Sequence, residues 1–419
     1  MSSAPPRASL LLLAYLAFVS LGLPDGLLGV GWPSIRADLG VPTEAVGLLI
    51  TAGTVGYLTS SVLAGFTLAR LGVGWLLAGS TLLASLALTG YASAPALTVL
   101  VGCALVLGLG SGAIDSGLNA YAAGAFGPRH MNWMHAFFGL GVAIGPLIMT
   151  ATIGAGLSWR WGYGVTAAAQ LVLAGAFALT VRAWRDRSAA TPAPTPPVPA
   201  GPAGGPASAA LAAGGPVTGA AVALADQPVR VRETLRLPAV WLGALAFAVY
   251  VAIEISAGLW AFLLLTEGRG LPAATAGLCV SGYWGSLFVG RVVQGLVAER
   301  LGTGRVLTAS LLGMAAGALL IALPGSGWLA VAGLFLLGFA AAPVFPLLTL
   351  TTAERVGAAH ADRAIGLQIG ASAIGGALIP AGLGVLLGNT SLNLLGAALT
   401  VLAVVLLALH ALSRRSPAA

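Results

Sequence analysis

Long apolar runs dominate this chain, and they limit what it can fold into. Twelve of them reach the roughly 20 residues that a helix needs to cross the hydrocarbon core of a bilayer. Only 7% of the 419 residues are charged, whereas soluble domains carry about 25%. A soluble fold with so few charges would expose large apolar patches to water. The pattern predicts a polytopic membrane protein and excludes soluble enzymes, secreted disulfide scaffolds and disordered proteins.

The apolar runs form two groups of six. They begin near Ser9, Glu44, Gly74, Ala96, Asn132 and Ser158, and then near Pro238, Ala273, Arg305, Trp328, Ala364 and Thr390. No alternating strand pattern accompanies them, so they predict helices, which satisfy their own backbone groups in lipid. We expect an all-α membrane protein of twelve transmembrane helices, with six-helix bundles at 1–182 and 238–419. The Pro-, Ala- and Gly-rich stretch at 183–237 predicts a disordered linker.

The arginines predict the orientation in the membrane. All 19 basic residues are Arg, and with a cytoplasmic N-terminus fifteen of them fall on the cytoplasmic side. Only Arg36, Arg160 and Arg269 fall on the other side, which is a strong positive-inside bias. We therefore expect both termini and the linker to be cytoplasmic, in a multi-pass protein of the plasma membrane. The net charge of +7 does not indicate nucleic-acid binding, because no basic cluster is interleaved with aromatic residues.

The two groups of runs are related in sequence. A shift of 230 residues aligns GVPTEAVGLL, starting at Gly40, with GLPAATAGLC, starting at Gly270. The same shift aligns the segments that start at Gly65 and Gly295. Each group contains six runs, so the two copies keep the same direction across the membrane. The sequence thus predicts a parallel internal repeat.

Two six-helix halves, a central linker and the segment GLVAERLGTGR after the eighth run resemble the major facilitator superfamily. That resemblance implies transport by rocking of the two halves around a central site. It also implies gating roles for Arg70, Glu299 and Arg300 in the two copies of the loop signature. The first copy has Ala69 where the signature has an acid, which weakens that role in the first half.

A narrower resemblance rests on three segments: GLPDGLLGVGWPSI, GLGSGAIDSGLNA and NWMHAFFGLGVAIGP. Together they are similar to the branch that contains the fucose, galactose and glucose proton symporters. In that branch, acids on the first and fourth helices serve proton coupling and sugar recognition. The resemblance therefore implies those roles for Asp25 and Asp115.

Four ionisable side chains lie well inside the runs: Asp25, Asp115, Glu254 and Arg291. Each costs roughly 2.5–3.5 kcal/mol at a helix centre, so we expect them to face a polar cavity or a partner. Asp25 follows Pro24, which predicts a kinked or unwound helix there. The repeat places Glu254 at nearly the same depth in the second half. We expect Asp25 and Glu254 to couple transport to protons, and Arg291 to pair with a carboxyl, such as that of Asp115, or with an anionic group of the substrate.

Further polar residues are candidates for substrate binding because they share helix faces with one another. The predicted substrate-binding set is Asp115, Asn119, Asn132, His135, Trp284, Arg291, Gln294 and Gln368. Asp115 and Asn119 are four residues apart, and together they offer an acceptor and an amide to hydroxyl groups. The alternative for each residue is ordinary helix packing or a buried ion pair, and packing is the commoner fate of a tryptophan at this depth.

The sequence contains no phosphate-binding Gly-Lys motif, metal-ligand cluster or nucleophile triad, and Cys103 and Cys279 both fall inside apolar runs. We therefore expect no enzyme activity, no cofactor and no metal. The predicted function is secondary transport by a monomer of a small polar solute, a sugar or polyol, with protons. Two alternatives stay open: a proton-driven exporter of amphipathic compounds, and a membrane receptor or assembly protein that does not transport.

Overall fold

The computed structural model describes residues 8–184 and 231–415. Every regular element in this part of the chain is helical. By length and composition, 11 of these helices could cross a membrane. Most of the linker predicted at 183–237 lies outside the described residues.

The first half contains five long helices. They are α1 (Ala8–Leu39), α2 (Val46–Ser93), α3 (Leu97–Ala125), α4 (Gly127–Gly154) and α5 (Arg160–Thr180). Their first residues lie within a few positions of the starts of the apolar runs, except that α2 covers two runs. This helix is broken at Gly72, whose φ of 71° and ψ of 163° are not helical. The break accounts for the difference between 11 helices and twelve predicted runs.

The second half repeats this order of long helices and adds three short helices between or before them. Its helices are α6 (Val231–Leu235), α7 (Pro238–Leu263), α8 (Ala273–Leu301), α9 (Thr303–Ala322), α10 (Gly327–Ala341), α11 (Val344–Leu350), α12 (Thr352–Val356), α13 (Ala358–Asn389) and α14 (Leu394–Arg415). The interruption between α10 and α11 falls at Ala342 and Pro343, where the two prolines around Phe345 predict a distortion.

Glycines in the left-handed region confirm the internal repeat. Gly40 and Gly270 have φ values of 62° and 69°, and Gly72 and Gly302 have values of 71° and 84°. The members of each pair are 230 residues apart, so equivalent turns use the same residue and the same backbone conformation. A side chain with a Cβ is strained at these φ angles, which explains why both copies carry glycine.

Equivalent glycines also bring equivalent helices together. Gly145 of α4 packs against the backbone of Gly26 in α1, and Gly375 of α13 packs against the backbone of Ala248 in α7. The two positions are again 230 residues apart. Within a membrane, such small residues let helices approach closely without a hydrophobic driving force. Each half is therefore built on the same pair of closely packed helices.

The two halves touch each other mainly through α1 with α7, α2 with α13, and α4 with α8. At Gly29, a Cβ would lie 3.0 Å from the carbonyl oxygens of Gly258 and Leu259. At Gly47 of α2, a Cβ would lie 2.7 Å from that of Ala381 in α13. The halves are thus in backbone contact at the end of the molecule where α1 ends and α8 begins. We call this the closed end.

The opposite end is where α1 begins and α8 ends, and we call it the Arg-rich end. The described arginines there include Arg70, Arg300, Arg305 and Arg414, all with exposed side chains. The few arginines at the closed end instead have partners. Arg36 pairs with Glu267 across the two halves at 2.7 Å, and Arg160 pairs with Asp38 within the first half.

Candidate functional site

Asp25 lies near the middle of α1. The helix is not unwound at Pro24, because α1 is helical from Ala8 to Leu39, and a kink there stays a prediction. Close packing explains this continuity: Gly22 and Gly26 lie directly against the backbone of α4 on either side of the proline. The helix loses one hydrogen bond at Pro24, but its path is held by the neighbouring helix.

The Asp25 side chain faces an internal space. It retains exposed surface although its neighbours Pro24 and Gly26 are buried and protein atoms surround it deep in the molecule. Its charge acts on the phenol groups of Tyr57, Tyr91 and Tyr163, all in the first half. No arginine or histidine within the described ranges forms an ion pair with it. Asp25 therefore lines this internal space, which we call the cleft, without a compensating positive charge among the described residues.

Asp115 forms the second acidic group of the first half. Its carboxylate accepts a hydrogen bond of 2.6 Å from the Tyr57 hydroxyl and one of 2.9 Å from the Asn119 amide. Gly108 and Gly112, on the same face of α3, lie directly against the backbone of α2 around Tyr57. The small residues thus set the distance between α2 and α3 at which the tyrosine reaches the carboxylate.

Glu254 of α7 is the acidic group of the second half, and it has a cation beside it. Its carboxylate accepts a hydrogen bond from the Tyr250 hydroxyl and lies 4.0 Å from the Arg291 guanidinium of α8. The Tyr283 hydroxyl donates to the Glu254 backbone carbonyl at 2.8 Å. The side chains of Arg291 and Glu254 are 28% and 15% exposed, so this pair is partly accessible from the cleft.

Arg291 was expected to pair with a carboxyl, such as Asp115, or with an anionic solute. Within the described ranges its ion-pair partner is Glu254, while the Asp115 carboxylate is hydrogen-bonded by Tyr57 and Asn119. Arg291 is thus paired with a carboxyl, as expected, but the carboxyl is that of Glu254 and not that of Asp115. The reason is proximity: α7 and α8 are consecutive helices of one half, whereas Asp115 lies in the other half.

Polar groups from the two halves nevertheless face each other across the cleft. A Cβ at Gly139 in α4 would lie 3.5 Å from the Arg291 guanidinium. The charges of both Asp115 and Arg291 act on the His135 ring, which packs edge-on against Phe18. Ser281 of α8 donates a 2.6 Å hydrogen bond to the Ala143 carbonyl of α4. The interface of α4 and α8 thus joins the two sets of polar residues.

Trp284 is positioned chiefly by packing. Its ring lies directly over Gly258 of α7 and meets Tyr283 edge-on at 5.0 Å between ring centroids. The side chain keeps some exposed surface. Gly29 of α1 approaches the same stretch of α7, so the indole lies close to where the halves meet.

Gln368 does not reach the cleft. It is 2% exposed, accepts a 2.9 Å hydrogen bond from Thr352 and lies against Gly243 of α7. Gln368 therefore joins α13 to α12 and α7 through these contacts. The structure does not support its predicted contact with substrate. The side chains of Asn132, Gln294 and Glu299 lie outside the described part of the structure.

Three tyrosines of the site were missed from the sequence. Tyr250 precedes Glu254 by four residues, a spacing that places both on one helix face and could have indicated the contact. Tyr57 and Tyr283 reach their partners from other helices, and no spacing in the sequence connects them.

The family profile of the major facilitator superfamily matches residues 14–380 and 242–419. The chain belongs to the major facilitator superfamily. Two clusters of ionisable residues, one in each half and facing a common cleft, agree with this membership. Membership of this family indicates a membrane transporter rather than an enzyme.

Three solved structures of similar fold can be compared with it. The nucleoside transporter NupG, in the form of a point mutant, has a TM-score of 0.73 at 14% identity, covering 97% of this chain and 100% of its own. The peptide transporter POT in complex with sulfate has a TM-score of 0.73 at 16% identity, covering 100% and 98%. A bacterial homolog of the human lysosomal transporter Spinster, in an inward-facing and occupied conformation, has a TM-score of 0.69 at 13% identity, covering 99% and 98%. Identities this low establish the shared fold, and the narrower resemblance to sugar symporters stays a prediction.

Proposed function

We propose that this protein is a secondary active transporter of a small polar solute, a sugar or polyol, coupled to protons. The observation that supports this most is that Asp25 and Asp115 of one half, and Glu254 and Arg291 of the other, lie around one cleft. Ionisable groups at this depth are costly in a membrane and usually mark a transport pathway. Alternating access then arises from rocking of the two halves around the cleft.

The proposed membrane topology of the protein has twelve spans. Counting the two sides of the Gly72 break separately gives six in each half, and an even number places both termini on the same side. The Arg-rich end is then cytoplasmic by the positive-inside rule. Backbone contact at the closed end makes the present conformation one that opens toward the cytoplasm. Arg70, Glu299 and Arg300, at the Arg-rich end, are the proposed gating residues, and we propose a monomer in the plasma membrane.

The chemistry of the cleft favours a solute without negative charge. The carboxylates of Asp25, Asp115 and Glu254 outnumber the Arg291 guanidinium, which already lies beside Glu254. The Asp115 carboxylate and the Asn119 amide offer an acceptor and a donor to hydroxyl groups. Sugars and polyols fit this description, and so does the ribose ring of a nucleoside.

Proton coupling is assigned to Asp25 first and Glu254 second. An ionised carboxyl without a cation nearby is destabilised in a site that loses water when the transporter closes. Binding a proton removes that cost. The carboxyl can therefore bind a proton while it is accessible from one side of the membrane and release it when it is accessible from the other. Glu254 has Arg291 and Tyr250 to stabilise its charge, which makes it the less favourable carrier.

A ligand screen at two pH values tests the proposed solute class. Thermal unfolding of the purified protein would be followed with hexoses, polyols, nucleosides, dipeptides, sugar phosphates and amphipathic drugs. We expect stabilisation by a neutral hydroxylated compound, and none by its phosphorylated form. Stabilisation only by sugar phosphates would contradict the proposed solute, and stabilisation only by amphipathic drugs would favour an exporter.

Uptake into liposomes tests transport itself. The compound that stabilises the protein should accumulate in proteoliposomes against its gradient when a pH difference is imposed. Binding without any movement of solute, under either a pH or a solute gradient, would favour a receptor that does not transport.

A further inference from the structure

A second cavity lies far from the central cleft, at the Arg-rich end of the second half. It has a volume of about 670 Å³ and opens between the start of α9 and the end of α14. Among the residues that line it are Thr303, Arg305, Ala309, Leu312 and Arg414. Nothing in the transport mechanism proposed above uses this cavity.

One side of this cavity is strongly positive. Arg305 of α9 and Arg414 of α14 both line it with exposed side chains, and neither forms an ion pair with a described carboxylate. The charges of Arg414 and Arg355 also act on His410, one turn earlier in α14. Arginines from two different helices therefore line this corner of the protein.

The backbone adds to the positive potential at this corner. The N-cap of α9 is Gly302, which provides no side chain to bond the free N–H groups of the first turn. The residues that carry these groups, Thr303, Gly304 and Arg305, line the same cavity as Arg414. Free N–H groups at a helix start and guanidinium groups are both good donors to phosphate oxygens.

The other side of the cavity is apolar. Ala309 and Leu312 follow Arg305 along the outer surface of α9 by about one and two turns. Both are exposed, and Leu312 keeps 56% of its surface. Leu319, two turns further along α9, is 52% exposed as well. The cavity thus continues from a basic pocket at the helix end into an apolar surface that runs along the span.

We propose that this cavity binds a phospholipid with an anionic headgroup. Its phosphate lies between Arg305 and Arg414, where the first-turn N–H groups of α9 also donate to it. One acyl chain follows the surface of Ala309 and Leu312 into the bilayer. A free phosphate would satisfy the basic pocket but would make no use of the apolar side, so the joined pair of surfaces favours a lipid over a soluble anion.

The test compares lipids on the full-length purified protein. Delipidated protein in a mild detergent would be titrated with phosphatidylglycerol or with phosphatidylcholine of the same acyl chains, while thermal unfolding is recorded. We expect phosphatidylglycerol to raise the unfolding temperature more. The double variant Arg305→Gln/Arg414→Gln should weaken its apparent affinity roughly thirtyfold, the effect of losing two arginines near an anionic surface. The control Arg232→Gln/Arg236→Gln removes two exposed arginines from the same end but outside the cavity, and should respond like the wild type.

Three results would overturn the proposal. They are equal stabilisation by the two lipids, equal losses in the double variant and its control, and a full effect from inorganic phosphate alone. If the double variant does not fold, native mass spectrometry of the wild type decides the question. Preferential retention of phosphatidylglycerol, reduced in Leu312→Gln, would support the site, and equal retention of both lipids would exclude it.

Discussion

The two halves share one architecture, but the acidic side chains inside their spans have different partners. In the second half, Glu254 has the Arg291 guanidinium at 4.0 Å and the Tyr250 hydroxyl bonded to its carboxylate. In the first half, Asp115 has only the neutral donors Tyr57 and Asn119, and Asp25 has no ion-pair partner among the described residues. The repeated fold therefore holds a charge-balanced site on one side and an unbalanced one on the other.

Under the function proposed above, this difference would divide the work of transport between the halves. The acids of the first half have no cation beside them among the described residues, so a proton or a donor group of the solute would have to supply the neutralising group. In the second half the Arg291 guanidinium already lies beside the Glu254 carboxylate, so no entering group is needed. The predictions below test that division, from the largest expected effect to the smallest.

The largest effect is expected at Asp25. Asp25→Asn removes the unbalanced acid, so uptake driven by a pH gradient should fall to the equilibrium level. Exchange of labelled for unlabelled solute should persist, because the remaining binding groups are untouched. Glu254→Gln should leave part of the uphill uptake. Both variants would be measured in proteoliposomes; uphill uptake by Asp25→Asn with protons as the only driving ion would show that the assignment is wrong.

Next in size is the pair of Arg291 with Glu254. Arg291→Gln should lower the free energy of unfolding by about 1–3 kcal/mol, because it leaves a partly buried carboxylate without its cation. The double variant Arg291→Gln/Glu254→Gln should recover most of that loss. Thermal unfolding of the single and double variants gives the coupling energy. The effects of Asp115→Asn and Arg291→Gln on the free energy of unfolding should be additive. A coupling energy larger than that of Arg291 with Glu254 would instead indicate that Arg291 pairs with Asp115.

A smaller effect is expected at Tyr57. Tyr57→Phe removes a hydrogen bond to the Asp115 carboxylate, and solute affinity should weaken by about tenfold, the effect of losing one bond to a charged group. Tyr163→Phe is the control, because the Tyr163 hydroxyl has no hydrogen-bond partner among the described residues. Binding would be measured by calorimetry with the solute found in the screen. Equal losses in both variants would mean that the tyrosines matter only for packing.

The smallest effect is expected at the closed end. Glu267→Gln removes the ion pair that joins the halves through Arg36, whose side chain is 27% exposed. Exposed pairs contribute up to about 1 kcal/mol, so the ratio of the two access states should change by less than about fivefold, toward opening at this end. Asp38→Asn, whose partner Arg160 is in the same half, should leave that ratio unchanged. Labelling of a cysteine introduced at each end measures the ratio.

Much of the fold was predictable from the sequence because single helices in a membrane follow local rules. The apolar runs predict the first residues of the helices to within six positions, and the 230-residue shift predicts that Gly40 is equivalent to Gly270 and Gly72 to Gly302. At Pro24 the sequence predicts a kinked or unwound helix, whereas the helix is continuous there, with Gly22 and Gly26 packed against the backbone of α4 on either side. Local sequence does not report which neighbour supports a helix.

The candidate site was predicted less completely because its contacts cross between helices. Asn119 and Asp115 share one face of α3, as their spacing of four residues predicts, and the structure shows them hydrogen-bonded to each other. The partners of Arg291 and Asp115 depend on how α2, α7 and α8 are rotated about their axes, which hydropathy does not define. Gln368 shows the same limit: it was predicted to contact substrate, but its side chain is buried against α12 and α7.

The contact between Gly29 and the carbonyls of Gly258 and Leu259 has a consequence for the energy balance of the cell. A proton that crosses without cargo discharges the gradient, so any chain of water molecules through the closed end would short-circuit the membrane. A Cβ at Gly29 would already lie 3.0 Å from both oxygens, so the two backbones leave no space for water at this point. In the proton-coupled function proposed above, this contact would prevent uncoupled proton flow, and a larger residue at position 29 is expected to make the resting protein conduct protons even where transport of solute survives.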